Sequence, residues 1–256
     1  MTAKIELWNI KLDAFKRDGI GRTIFKRGVH EPHIGRWLKS CNKVCKGNFI
    51  DVGANIGYYT LIFSVLAGNA GFVIAIEPEQ ANLNLLRHNL IMNNCKNVTV
   101  IPTALGDKNT TVHLSLYKAS NRGRHAISAD YGYGYQEAPS QTLDTILNKE
   151  IFQEKEFDLL KMDIEGYEFF AFQGAEKSLK RIKCIVLEYS PDLISKTNAS
   201  ISAKDFLALV SVTHPYVYEF SSHFIYKTNV EDVLKNFQQR DLIFIREDMK
   251  EEEYCC

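Results

Sequence analysis

FVIAI, residues 72–76, is an apolar run without a polar break, and similar short runs recur along the chain, each followed by helical spacing. An unbroken run of this length marks a strand covered on both faces, as in a parallel sheet with helices on either side. After FVIAI, Leu83, Leu86 and Leu90 fall at i, i+3 and i+7, which is one face of a helix. VTVI (98–101) is the next strand, and FDLLKM (157–162) is another, followed by Phe172, Ala175 and Leu179 at helical spacing. CIVL (184–187) follows as a strand, SAKDFLALV (202–210) as a helix opening on a serine cap, and LIFI (242–245) closes the series. This alternation predicts an α/β fold with a mainly parallel, doubly wound sheet and right-handed crossovers.

Two regions depart from the rhythm. Residues 1–47 read as mostly helical, with Trp37 and Leu38 in a helix leading to the first strand. Residues 103–141 carry the strand-like TVHLSL and then a polar, glycine-rich stretch containing YGYGY, expected to be an irregular insertion covering the site. The economical reading is one domain over 1–256, with an N-terminal cap, this insertion and an acidic tail at 247–256.

Composition narrows the function classes. The 256 residues suffice for a substantial core, and 45% hydrophobic with 24% charged residues is the mix of a soluble globular protein. Lys plus Arg and Asp plus Glu are both 31, so no basic excess points to a nucleic-acid partner. Among the six cysteines, Cys41 and Cys45 form a lone pair without a second pair or a His-x-x-x-His, and no zinc site is expected. Cys95 and Cys184 read as isolated small hydrophobes, and a cytoplasmic, reducing compartment is the simplest setting. Cys255 and Cys256 follow the acidic EDMKEEEY and read as a frayed tail rather than a lipidation signal. Lys4, Glu6 and Lys11 interrupt the opening apolar residues, so no signal peptide is expected, and no stretch reads as a membrane span.

The first strand runs into FIDVGANIGYYT, residues 49–60, where Asp51, Gly53, Asn55 and Gly57 crowd into a strand-to-helix turn. In a doubly wound sheet that turn faces the ligand. Glu77 ends the next strand, at about the twenty-residue separation from which an acid grips a ribose. A dinucleotide fingerprint requires G-x-G-x-x-G, but here bulky Tyr58 and Tyr59 follow Gly57 and would crowd a pyrophosphate, which Asp51 would also repel. An anion at the turn suits a cationic ligand, and S-adenosylmethionine is the expected cofactor. An NAD-dependent oxidoreductase and a non-catalytic binding protein retaining the fold remain the alternatives.

DVGANIGYYT, IEP, TALGD, QTLDTIL and above all KMDIEGYE (161–168) together resemble the FkbM-type S-adenosylmethionine-dependent methyltransferases, from about Glu31 to Glu188. The resemblance implies a Rossmann-like, seven-stranded sheet whose last strand, DLIFIR, is antiparallel. It implies that Asp51, Gly53, Asn55 and Gly57 line the methionine end of the cofactor and that Glu77 holds the ribose. Thr103, Ala104 and Leu105 would lie by the adenine, and Asp163 would face the amino-acid and methyl end.

The Asn/Asp-Pro-Pro-aromatic element of base-amine methylation is absent, and MDIEG stands in its place. This favours O-methylation of a hydroxyl on a sugar, polyketide or other small metabolite, the substrates the resemblance implies. Asp163, Glu165 and Glu188 fall at or just past two strand ends, where carboxylates act as a base, hold a divalent cation or order hydroxyls. Support of the hydroxyl, without a permanent metal site, is expected; Glu165 reads equally as a helix-start acid. His125, with Arg122 and Arg124 in SNRGRHAIS, reads either as a substrate contact in the insertion or as part of a solvated loop. Tyr131, Tyr133 and Tyr135 read either as a stacking surface or as a mobile lid. His30, just before Glu31-Pro32, reads either as approaching the cofactor pocket or, more simply, as a surface residue.

Overall fold

The computed structural model describes residues 1–15, 19–40, 47–117, 125–127, 131–197, 200–221, 224–236 and 238–247. Arg122, Arg124, Cys41, Cys45, Cys255, Cys256 and the tail beyond 247 lie outside the described residues.

The chain opens with a hairpin of β1 (Thr2–Ile5) and β2 (Ile10–Asp13), then α1 (Gly19–Arg27) and α2 (Pro32–Ser40). The first fifteen residues therefore depart from the helical expectation. Ile10 and Leu12 are buried while Lys11 between them is exposed, the period-two pattern of a strand, and Asn9 turns the chain at a φ of 53°. Asn89 ties this hairpin down: its amide accepts from the Asp13 N–H at 2.8 Å and donates to the carbonyls of Asp13 and Ile56.

Strand and helix then alternate as β3 (Phe49–Val52), α3 (Tyr58–Ala67), β4 (Val73–Ile76), α4 (Gln80–Met92) and β5 (Val98–Ile101). Next come β6 (Ala104–Leu105), β7 (Thr110–Ser115) and β8 (Tyr135–Gln141), which form a small separate sheet in the order β6-β8-β7. Residues 103–141 thus carry three strands where an irregular insertion is expected, with TVHLSL supplying most of β7, while 131–134 is irregular. The chain continues through α5 (Leu143–Leu147), β9 (Phe157–Met162), α6 (Glu168–Gln173), β10 (Ile182–Tyr189), α7 (Pro191–Thr197) and α8 (Ala203–Ser211). It ends with β11 (Tyr216–Phe220), β12 (Ile225–Thr228), α9 (Val230–Leu234) and β13 (Arg240–Ile245). Ser202 caps α8 in a reciprocal box with Asp205, as the sequence suggests. Phe172, Ala175 and Leu179 are all buried, but α6 stops at Gln173. Gly174 follows as its cap, where a side chain would strike the Gly106 carbonyl, and Leu179 sits in a following 3-10 turn.

Among the described residues eight strands form the main sheet, in the order β12-β11-β13-β10-β9-β3-β4-β5. From β10 to β5 all pairings are parallel, and β13, the last strand, is antiparallel to β10 and β11. The seven strands implied by the resemblance are present, and β12 adds an eighth as a hairpin on the edge. The chain leaves β3 toward β4 and β5 and returns to β9 on the other side, so the order reverses between β3 and β9. A crevice opens at such a reversal, outside the carboxyl ends of the strands.

Two apolar clusters cover the two faces of the sheet. Phe49, Val73, Leu159 and Val186 face one; Ile50, Ile74, Leu160 and Leu187 face the other. Period-two alternation then places Asp51, Lys161 and Glu188 on the first face, the one that α3 and the N-terminal elements cover.

Candidate active site

The crevice is built from the ends of β3, β4, β9 and β10. Gly53 leaves β3 at a φ of 78°, and a Cβ there would lie 2.0 Å from the Asp163 carbonyl oxygen. Only glycine allows the two strand ends to close together. Asn55 also takes a positive φ, 50°, and Gly57 starts α3 at 93°. The Gly53 and Ala54 amides both donate to the Ile76 carbonyl at 3.0 Å, and the Asn55 amide donates to Glu77 Oε2 at 2.8 Å. The loop amides are therefore turned to the end of β4 and do not form the anion nest that a pyrophosphate needs.

Glu77 is buried, and its other oxygen accepts from the Glu79 amide at 2.9 Å and from Asn82 at 3.5 Å. Burial pushes its carboxyl up to about 7 against these hydrogen bonds. A carboxylate offers about four lone-pair positions, so acceptor capacity remains for hydroxyl donors. Asn82 Oδ1 is buried without a partner and lines the same cleft. An orphaned buried acceptor beside a carboxylate with about one acceptor position left fits a ligand with hydroxyl or amino donors, as the nucleoside of S-adenosylmethionine has.

Thr103, Ala104 and Leu105 line the same cleft with Leu114 and Ile127, an apolar slot beside β6 and β7. The Thr103 hydroxyl bonds to the carbonyls of Ala104 and Pro139, so it shapes the chain there rather than offering a donor. His125 lines this slot too, on backbone paired to β7 through Ala126 and Ser115. Its Nδ1 accepts from the Tyr117 amide at 2.8 Å, which leaves that nitrogen without basic capacity. His125 thus lines the slot whose wall also includes Asp163 and Glu165.

A charged group occupies the first face of the sheet. Asp51 pairs with Lys161 in the register of β3 and β9, and Glu188 pairs with Asp241 in that of β10 and β13. Asp163 follows Lys161 by two residues, and their Oδ2 and Nζ are 3.4 Å apart. Lys161 Nζ also lies 4.6 Å over the Tyr59 ring. Burial lowers the Lys161 ammonium, but Asp163, Glu31, Asp51 and Glu188 outweigh it and hold the group charged. Burial raises Asp163, and Lys161 with a hydrogen bond from Glu188 brings it below its ordinary value. The Asp163 charge, with burial, drives Glu188 far above the usual carboxylate range, so the pair shares one proton that Glu188 holds. Asp51 is pushed by burial up to about 6 although Thr60 donates to it at 2.5 Å. Glu165, at a φ of 54°, lines the cleft where the nucleoside slot and the charged group meet. Among the described residues no cluster of three or more His, Cys, Asp or Glu is arranged around a metal position.

The KMDIEGYE segment has a physical reason for its length. Buried Glu168 accepts from the amides of Ile164 and Gly166 and so closes the loop that carries Asp163 and Glu165. Gly166, at a φ of 98°, packs against Leu193 and Thr197 of α7.

Residues 51–241 match the Methyltransferase FkbM domain. The chain belongs to this FkbM methyltransferase family. Hexuronic acid methyltransferase AglP of Haloferax volcanii is 26% identical over 166 residues, 63% of this chain and 60% of that protein. The chain thus spans less than two thirds of this curated relative. A methyltransferase FkbM structure from Methylobacillus flagellatus KT aligns at 18% identity with a TM-score of 0.46, covering 78% of this chain and 43% of the other. The hMettl16 catalytic domain, solved with the MAT2A 3′UTR hairpin 1, aligns at 13% identity with a TM-score of 0.50, over 95% of this chain and 77% of its own. The fold shared with that domain is the class I methyltransferase fold, α/β with a mostly parallel central sheet.

Within this FkbM fold several site residues carry no motif of their own. His30 and Glu31 of the α1–α2 connection line the cleft, so His30 is not the surface residue of the simpler reading. Asp241 accepts from His33 at 2.7 Å and lies beside Glu188, and Gln239 donates to Glu188. Lys161 is the one with a usable signal: a cation within an otherwise apolar buried strand, two residues before an acid.

Proposed function

We propose that this chain is an S-adenosylmethionine-dependent methyltransferase acting on a hydroxyl of a sugar-like acceptor. The observation that carries the reading is the contact of Gly53 with the Asp163 carbonyl, which makes the nucleoside slot and the charged group one continuous wall. In this reading Glu77 and Asn82 hold the ribose, and Thr103, Ala104, Leu105, Leu114 and Ile127 flank the adenine. Asp51, Gly53, Asn55 and Asp163 face the methionine portion, and Gly57 lies outside the cleft lining, against Leu86. The bound cofactor supplies an electrophilic methyl group on a positively charged sulfur.

The chain's own residues do the rest by orientation and charge. Asp163, kept ionised by Lys161, provides the negative charge that a sulfonium favours. Glu188 and Glu165 accept or donate hydrogen bonds to acceptor hydroxyls, which suits a polyol better than an apolar amine. The relation to a hexuronic acid methyltransferase supports a sugar as the acceptor class.

Calorimetry with S-adenosylhomocysteine and with NAD tests the cofactor, and labelled donor with methyl glucoside and methyl glucuronide tests the acceptor. Binding of S-adenosylhomocysteine and label in the methylated glycoside are the expected results. Tight NAD binding without S-adenosylhomocysteine binding would end this reading.

A further inference from the structure

Transfer to a hydroxyl releases a proton, and the carboxylates above are poorly suited to take it. Asp163 is a weak base because Lys161 and Glu188 stabilise its charge, and Glu188 already holds a proton. The same cleft is lined by His30 and Glu31.

Both are fixed by the aromatic pair that follows the glycine loop. The Tyr58 hydroxyl accepts from the His30 amide at 3.1 Å and donates to the His30 carbonyl at 3.0 Å. The His30 ring meets the Tyr58 ring edge-on at 5.7 Å, and its side chain is 25% exposed. Glu31 sits at a φ of 44°, a conformation that costs energy outside glycine, and the Tyr59 hydroxyl donates to its Oε2 at 2.5 Å. His30 Nε2 lies 3.6 Å from Glu31 Oε1, an ion-pair distance once the ring is charged. The turn that forms the cofactor wall therefore also sets a histidine–glutamate pair over it. This accounts for two tyrosines where a dinucleotide site would need small residues.

We propose that His30 is the catalytic base, accepting the proton of the acceptor hydroxyl while Glu31 pairs the resulting imidazolium. The inference rests on the methyltransferase reading. As the new C–O bond forms, the C–S bond breaks with its electron pair on sulfur, and the O–H proton passes to the imidazole. One positive charge thus moves from donor to His30, where Glu31 balances it. The charged or titratable groups around the ring are Glu31 on its own loop, Tyr58 and Tyr59 on α3, and Asp51 on β3. Lys161, Asp163 and Glu165 face it from β9 and the loop beyond, and Glu188 from β10.

The test uses the full chain labelled with ¹⁵N-histidine, His30 being assigned by loss of its signal in His30→Gln. The ring is titrated with S-adenosylhomocysteine and with S-adenosylmethionine. The expected midpoint is lower by about one pH unit with the sulfonium, which disfavours a nearby imidazolium. Equal midpoints with both ligands bound overturn the assignment of His30 alone. Failure of both ligands to bind overturns the functional reading and this inference with it. With methyl glucoside and methyl glucuronide as acceptors, His30→Gln should keep S-adenosylhomocysteine affinity and lose roughly 10²–10⁴ in kcat, together with the acid limb of the pH profile. His30→Ala should regain turnover in added imidazole. Wild-type turnover in His30→Gln, or loss of that limb in Glu165→Gln instead, would overturn the proposal.

Discussion

Lys161 Nζ lies 3.4 Å from Asp163 Oδ2, two residues on along the chain from β9 and on the same face. The lysine side chain is 6% exposed, so this is a cation enclosed by carboxylates rather than a surface pair. Removing one partner of such a pair leaves the other charge uncompensated, which costs about 3–5 kcal/mol. Lys161→Met should lose that much stability in urea unfolding. Lys161→Met combined with Asp163→Asn should recover part of it, because both charges are then gone. Simple addition of the two single losses would show that the pair is not coupled.

Glu77 links ligand affinity to the pH dependence of the empty protein. Its carboxyl is pushed up to about 7 in the fold, above its ordinary 4.5, because burial disfavours the charge. Between those values the folded chain holds a proton that the unfolded chain has released. The contribution is therefore full below about pH 4.5 and lost as pH rises through about 7. Glu77→Gln should flatten the stability of the ligand-free protein between about pH 4.5 and 7, at the cost of one backbone hydrogen bond at every pH, because the new NH2 faces the Asn55 or the Glu79 amide. Glu77→Ala should lose roughly 2–3 kcal/mol of S-adenosylhomocysteine affinity, since charge-assisted bonds to hydroxyls disappear, with Glu77→Gln losing less. Thermal scans across pH and calorimetry read the two effects separately.

The sequence makes the central strands and the cofactor turn legible because each is a local pattern. VTVI and FDLLKM match β5 and β9 residue for residue, and Gly53, Gly57 and Glu77 announce the first two strand ends. The N-terminal hairpin escapes this reading because its strands are four residues each, too short for alternation to stand out beside the helical α1 and α2. YVYEF and IYKT pass unread as β11 and β12 because mixed polar and aromatic residues on an edge hairpin carry no continuous apolar run. His30 and Gln239 reach the cleft only through tertiary packing, and no spacing joins them to Asp163. His125, read as functional among its arginines, lines the slot with its Nδ1 held by the Tyr117 amide.

Asp163, Glu165 and Glu188 should separate kinetically. Glu188→Gln keeps the shape and the hydrogen bond to Asp163 but fixes the proton, and Glu165→Gln removes one charge beside the acceptor. Both should lower kcat with little change in S-adenosylhomocysteine affinity, as expected for interactions made mainly in the transition state. Asp163→Asn should weaken both, being placed between cofactor and acceptor. Activity should persist in chelator, because Lys161 already supplies the cation among these carboxylates. Complete loss in chelator, restored by magnesium or manganese, would show that a metal holds the acceptor.

Three glycines at positive φ give a graded test of the cofactor wall. Gly132, at 72°, has open space where a Cβ would stand, so Gly132→Ala carries only the conformational cost of about 1–2 kcal/mol. A Cβ on Gly57 would meet Leu86 Cδ1 at 2.5 Å, the end of a side chain that can rotate away. Gly57→Ala should add a modest packing cost to the same conformational one. On Gly53 the Cβ would stand 2.0 Å from the Asp163 carbonyl oxygen, and backbone cannot swing aside as a side chain does. Gly53→Ala must push the ends of β3 and β9 apart, which adds about 1–3 kcal/mol of overpacking strain. Opening that contact also moves Asp163 away from the turn that carries Asn55, so S-adenosylhomocysteine affinity should fall in Gly53→Ala and hold in Gly132→Ala. Urea unfolding and calorimetry on the three variants check the order; equal losses across them would place the contact of β3 with β9 outside the site's requirements.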